Sequence, residues 1–282
     1  MTLTIAIVAP GAMGSAVGAR LVSRGARVIT SLHGRGESSR QRAEAAGLAD
    51  VPEPELMSAD LFLSIVPPAS AGEAAARFAD LASKASRKPP FIDLNAVSPQ
   101  RALAVAKVVQ ASGATFIDGA IIGLPPKSDG PGPTLYLSGP VGDAGELLRA
   151  HGVVVKELPG DIGAASALKM SYAGITKGLT ALATAMILAA DRHGASDALH
   201  AELAISAASL LQRFEKSIPD MLPKAWRWAP EMHEIADYLG ADFAEAEAFR
   251  AIADLYERVA DDAADRKVET SALTAFVQRP AR

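Results

Sequence analysis

Up to about residue 160, short runs rich in β-branched and aromatic residues alternate with longer alanine-rich stretches of helical period. Thr4–Val8 predicts a first strand, followed by a glycine-rich turn and a helix over about 13–24. Arg27–Thr30 predicts a second strand; after a polar loop comes a helix over roughly 39–46. Further strands are predicted at 61–66, 91–94, 115–118 and 134–139, with a helix over about 99–112. Strands alternating with helices argue for a parallel sheet covered on both faces.

After Asp161 the β pattern disappears. Residues 162–193 form one Ala/Leu/Met-rich stretch without proline, long enough for a helix of ~45 Å at about 1.5 Å per residue. Further helices are predicted over 198–216, 231–240 and 244–265. Between them, 219–230 holds three prolines and both tryptophans and reads as a loop. The predicted fold is α/β, with a doubly wound parallel sheet over 1–160 followed by an all-α domain over 161–282. A long interdomain helix leads the second domain, and the junction falls near Pro159-Gly160.

The chain of 282 residues is 49% apolar and 21% charged, which excludes a disordered chain and leaves room for two domains. A net charge of −4 offers no basic field for a polyanion, so nucleic acid is not an expected partner. Cysteine is absent, which removes disulfides and thiolate chemistry and fits a reducing compartment. No basic segment precedes an apolar one at the N-terminus, so no signal peptide is expected. The longest apolar stretch, 181–190, falls short of the ~20 residues that cross a bilayer. A cytoplasmic protein without a membrane partner is the expectation.

Ala9-Pro10-Gly11-Ala12-Met13-Gly14 lies between the first strand and the first helix. It matches the dinucleotide pattern G-x-G-x-x-G with Ala9 in the first glycine position. Gly11 would let the backbone approach a pyrophosphate, and Gly14 would let helix and strand pack closely. The helix offers unpaired N–H groups and the positive end of its dipole. Strand, turn and helix stand in the order that this pattern requires, which points to a Rossmann domain and a nicotinamide dinucleotide. An acid at the end of the second strand would grip the ribose of NAD; basic and hydroxyl groups suit a 2′-phosphate. Here Ser31-Leu32-His33-Gly34-Arg35-Gly36-Glu37-Ser38 gives no acid at the strand end, so NADP(H) is favoured over NAD(H), with His33, Arg35 and Ser38 as contacts.

The turn ending in Met13-Gly14, the strand end Ser64-Ile65-Val66-Pro67-Pro68, and Phe116-Ile117-Asp118-Gly119-Ala120 together resemble the β-hydroxyacid dehydrogenase superfamily. That superfamily includes 3-hydroxyisobutyrate dehydrogenase, 6-phosphogluconate dehydrogenase and the imine reductases. The similarity continues through Gly163 to Lys169. The tail, with Trp226, Trp228, Pro230, Glu231 and Met232, is similar to the short C-terminal domain of phosphogluconate-dehydrogenase-like proteins of uncharacterised substrate. The resemblance implies that Lys169 is the catalytic lysine, acting as general acid or base on the substrate oxygen during hydride transfer. The residues agree: a lone cation among small and apolar neighbours on one helical face is costly unless it has a job, and desolvation would bring it toward proton transfer. Lys177, by contrast, reads as a snorkelling surface lysine.

Two positions depart from the family pattern. The family places an asparagine four residues after the lysine, where this chain has Ala173; Tyr172 or Thr176 would then supply a replacement hydrogen bond. The family's Ser-Gly-Gly substrate loop aligns with Ile122-Gly123-Leu124, which removes a donor and adds apolar bulk. A larger or less polar carbonyl substrate follows, with an imine as the alternative, although imine reductases commonly replace the lysine retained here. Asn95 is a cofactor or substrate contact on the family reading, or part of a helix N-terminus; Ser98 before Pro99 reads as the cap. Val66, Pro67 and Pro68 are expected to wall the nicotinamide-ribose pocket. His233 has no second histidine at ligand spacing, so no metal is expected. Trp226 and Trp228 read as core or interface anchors. The apolar surface of the long helix suggests a homodimer. A non-catalytic NADP-binding sensor is the rival from outside enzymology, and the intact lysine argues against it.

Overall fold

The computed structural model of the protein describes residues 2–126 and 132–279. The chain divides into two compact units, Met1–Met170 and Ser171–Arg282, so the division falls beyond the Pro159-Gly160 junction, inside the long helix.

Unit 1 holds an eight-stranded sheet in the order β3-β2-β1-β4-β5-β6-β7-β8. Its strands are β1 (Thr4–Val8), β2 (Arg27–Thr30), β3 (Ala49–Asp50), β4 (Leu61–Ser64), β5 (Phe91–Asp93), β6 (Phe116–Ile122), β7 (Thr134–Ser138) and β8 (Val154–Glu157). All neighbours run parallel except β6 and β7, which pair antiparallel. The sheet is thus the parallel-dominated one expected, with a single antiparallel pair. The link from Ile122 to Thr134 carries no crossover helix among its described residues, and without one the chain returns antiparallel.

Residue alternation along the strands builds the two faces. Ile5 and Ile7 of β1, with Leu61 and Leu63 of β4, pack under Val17 and Leu21 of α1 (Ala12–Ser23), Ala43 of α2 (Glu37–Ala45) and Leu148 of α5 (Ala144–Ala150). On the other face Phe62, Phe91 and Phe116 sit in register on adjacent strands, their rings stacked at 5.3 and 6.0 Å. Phe78 of α3 (Ala71–Lys84) meets two of them edge-on, and Val105 of α4 (Pro99–Ala111) packs in the same cluster. The sequence reading passed over α3 because its buried stripe, Ala71, Ala75, Phe78 and Ala82, is almost all alanine. It passed over β3, α5 and β8 because they are short.

The long helix is α6 (Ala164–Arg192, 29 residues), close to its predicted span. By length and composition it is apolar enough to cross a bilayer, which the shorter count from sequence did not anticipate. Its first turns, however, are hydrogen-bonded into unit 1, as described below. In unit 2 follow α7 (Ser196–Ser206), α8 (Ala208–Met221), α9 (Ala225–Leu239), α10 (Ala244–Ala264) and α11 (Val268–Val277). The loop expected over 219–230 is instead helical: Pro219 lies inside α8 and Pro230 inside α9. Ile218, Met221, Ala229 and Met232 are all buried there, and that packing outweighs the roughly 3 kcal/mol disfavouring proline in a helix.

Candidate active site

β1 ends at Val8, and α1 starts at Ala12 with Gly11 in extended conformation as its N-cap and no side chain capping it. Gly11 accepts from Ser15, whose backbone N–H and hydroxyl lie 2.9 and 2.7 Å from the Gly11 carbonyl. A Cβ on Gly14 would stand 2.2 Å from the Ala9 carbonyl oxygen, so the helix can lie this close to the strand end only with glycine there. A Cβ on Gly11 would meet open space, leaving the approach to the turn clear. Pro10 is buried and its carbonyl accepts from Arg42 Nε of α2 at 3.2 Å; Ala12 is exposed and Met13 half-buried. A backbone cradle of this kind, free of side chains and at a helix N-terminus, fits a pyrophosphate.

Beside the turn lies a cleft of about 400 Å³. Val8, Ala9, His33, Arg35, Val66 and Pro67 all line it, so the ends of β1, β2 and β4 converge there as expected. Asp50 of β3, in register with the last residue of β2, accepts the Leu32 N–H at 2.9 Å. Arg40 donates to the Leu32 carbonyl (2.9 Å), and Arg42 donates to Ser39 Oγ (3.1 Å) as well as to Pro10. Those two cations brace the loop, and Arg35 is left to line the cleft. Ser38 is exposed in the first turn of α2 and lies outside the lining; Pro68, half-buried in the turn after β4, also lies outside it. Glu53 and Arg77 also line the cleft and form an ion pair across it. Neither residue belongs to a motif legible in the chain: Arg77 lies on the alanine-striped α3, and Glu53 lies in a short turn after β3.

Asn95 is buried and does not line the cleft. Its Oδ1 accepts the Val66 N–H at 2.6 Å, and its Nδ2 donates to Ser64 Oγ at 2.9 Å and to Asp93 Oδ1. Asn95 thus ties the Val66 backbone to β4 and β5. Ser98 accepts from Arg101 N–H at the start of α4, the capping role expected of it. Asp93 is fully buried with its Oδ2 unpartnered among the described residues. Burial pushes the Asp93 carboxyl up to about 7; the Asn95 backbone N–H opposes that rise, and the negative charge of Asp118 adds to it.

Asp118 organises the start of α6. Its Oδ2 accepts from Ser138 Oγ (2.9 Å), Gly163 N–H (2.9 Å) and Ser166 N–H (3.1 Å), and its Oδ1 accepts from Ser166 Oγ (2.6 Å). Ala165 N–H donates to Ser138 Oγ at 3.0 Å. Side chains of β6 and β7 thus satisfy the orphan donors of the helix N-terminus, and the carboxylate complements its dipole. One turn on, half-buried Lys169 donates from Nζ to the Ile121 carbonyl at 3.1 Å, which places its amine at the end of β6 beside Ile122.

Ile122 is half-buried, and Gly123 has φ of +127°, with Pro133 3.0 Å from an added Cβ. The chain turns there on a glycine, with Ile122 half-buried before it and Leu124 exposed after it. Further along α6, Ala173 is buried and Tyr172 exposed. Thr176 Oγ1 donates to the Tyr172 carbonyl of its own helix at 2.8 Å, so its proton is already placed.

Lys177 differs from its surface assignment. Its side chain is only 16% exposed, pairs with Glu231 of α9, and lies 4.8 Å from the Trp228 ring centroid. Tyr256 of α10 donates to the Lys177 carbonyl at 2.6 Å and meets Trp228 edge-on. Trp228 is therefore an anchor within unit 2, while Trp226 is exposed. His233 is exposed on α9, and no group of three metal-ligating side chains occurs among the described residues.

Two family models match the sequence. Residues 4–139 match the NAD binding domain of 6-phosphogluconate dehydrogenase, and residues 190–259 match a domain of unknown function, DUF1932. Among solved structures, a conserved protein described as structurally similar to 3-hydroxyacid dehydrogenases aligns at 26% identity and TM-score 0.70, covering 93% of this chain and 99% of that one. The 3-hydroxyisobutyrate dehydrogenase of Mycobacterium tuberculosis aligns at 20% identity and TM-score 0.71, covering 99% and 100%. A reductive aminase from Aspergillus terreus, solved with NADPH and ethyl levulinate, aligns at 18% identity and TM-score 0.56, covering 98% and 100%. No curated protein matches the sequence. The N-terminal Rossmann sheet, with its glycine turn after β1, is an NAD(P)-binding domain, and a helical domain follows it. Residues 4–139 are thus similar to the NAD-binding domain of the 6-phosphogluconate dehydrogenase type, and over nearly its whole length the chain shares the fold of a 3-hydroxyisobutyrate dehydrogenase and a reductive aminase.

Proposed function

We propose that this protein is an NADP(H)-dependent reductase or dehydrogenase of a carbonyl/hydroxyl pair, with Lys169 as general acid and base. The observation that carries the reading is Lys169 itself: an amine held at the end of β6 by a helix whose N-terminus is fixed to the sheet through Asp118. When bound, the nicotinamide supplies or accepts the hydride. The Gly11 to Gly14 turn holds the pyrophosphate against backbone N–H groups, and Val66 and Pro67 wall the cleft. Arg35, which lines the cleft just after β2, receives the 2′-phosphate. In the reducing direction Lys169 gives a proton to the substrate oxygen; in the oxidising direction it takes the hydroxyl proton. Ile122 beside that amine favours a substrate with an apolar group near the reacting carbon over a small hydroxy acid. Ile122 and the likeness to a reductive aminase favour imine reduction as the second reading, and retention of Lys169 favours the carbonyl.

The protein is also proposed to act in the cytoplasm as a homodimer. Tyr172, Ile175, Leu182 and Met186 stand exposed on α6 at spacings of three, seven and four residues, the seam along which a second helix packs.

The test is a panel of ketones, keto acids and ketone–amine mixtures with NADPH. Lys169→Ala is expected to lower turnover of the best substrate by about a hundredfold or more while NADPH binding survives. Loss of binding and turnover together would contradict the assigned role. Turnover of ketone plus amine exceeding that of every ketone alone would select the imine reading.

A further inference from the structure

Two residues beyond the phenylalanine row, the same sheet face carries a second row, polar instead of aromatic. Ser64, Asp93, Asp118 and Ser138 stand in register on β4, β5, β6 and β7, and all four are buried. At one end of the row, Asn95 joins Ser64 and Asp93 and accepts the Val66 N–H. At the other end, Asp118 and Ser138 hold the first turn of the helix that carries Lys169. The cleft wall and the lysine helix are thus fastened to one polar strip across the sheet.

We infer that Asp93 is a positioning residue for cofactor binding: it orients the Asn95 amide, and that amide fixes the Val66 turn at the edge of the cleft. The chemistry is specific. A carboxylate at Asp93 accepts both the Asn95 backbone N–H (3.1 Å) and its Nδ2, which fixes Oδ1 as the atom facing Val66. Charge on Asp93 strengthens both bonds and polarises the Asn95 amide, making Oδ1 the better acceptor. The groups facing Asp93 are Ser64 from β4, Asp118 from β6 and Asn95 from its own loop; no cation faces it among the interactions described. Raised by burial, the acid changes charge near neutral pH. The inference rests on the cleft being the dinucleotide site.

The experiment is NADPH binding by fluorescence from pH 5.5 to 8.5, on the full chain and on Asp93→Asn, which keeps the acceptor oxygen and loses the charge. The ratio of the two affinities cancels ionisation of the 2′-phosphate. The expected result is equal affinity at pH 6 and below, with the unsubstituted protein tighter by about fivefold above pH 7. Asn95→Ala, read at pH 8, is expected to bind NADPH about tenfold more weakly while its circular dichroism is unchanged. A purely structural role for Asp93 would leave the affinity ratio flat across pH. A flat ratio overturns the inference, as does undiminished binding by Asn95→Ala. Failure of the unsubstituted protein to bind NADPH or NADH at any pH instead overturns the reading of the cleft, and this inference with it.

Discussion

Asp93 shows most clearly what a single residue contributes here. Its carboxyl, raised to about 7, binds a proton more readily in the folded chain than in the unfolded one, where the ordinary value of 3.8 applies. Stability from this group is therefore fully present below about pH 4 and is lost as pH rises toward 7, by up to about 1.4 kcal/mol per pH unit. Asp93→Asn removes that dependence. Its melting temperature is expected to match the unsubstituted protein near pH 4 and to exceed it increasingly up to pH 7, the gap then staying constant. A gap that narrows with rising pH in calorimetry would contradict the assignment. Two residues with a local structural role were legible in the sequence: Gly14 for a steric reason and Ser98 as a cap. Asn95 stood open between two roles, and its bond to Val66 joins residues 29 apart in the chain, which no local pattern reveals.

Among the elements, α6 carries the most weight. Its run without proline fixed its length in advance, and a 29-residue helix resulted. Its fastening did not show, since Asp118 lies 48 residues before Ser166 and a cap supplied from a neighbouring strand leaves no motif beside the helix. The alanine stripe of α3 and the prolines of α8 and α9 misled for a related reason: tertiary packing decided both. Along α6, Ile175 is 72% exposed and Leu182 59%, apolar side chains that the proposed dimer would cover. A homodimer of 29.1 kDa chains is the expected species in light scattering, and Ile175→Glu with Leu182→Glu is expected to give a folded monomer. A monomeric unsubstituted protein would count against the seam.

For the whole molecule, the order of strands and helices was readable because period-2 and period-3.6 patterns change cleanly near Asp161. The antiparallel β7 was not, because strand direction depends on what the connection contains. The account stands on a turn that brings backbone N–H groups, with no side chain in the way, against a pyrophosphate. Fluorescence titration with NADPH tests it most directly, comparing the unsubstituted protein with Gly14→Val, whose side chain has no room beside the Ala9 carbonyl. Saturable binding, weakened by about tenfold or more in the folded variant, is predicted. No saturable binding of NADPH or NADH by the unsubstituted protein, or undiminished binding by folded Gly14→Val, would contradict it.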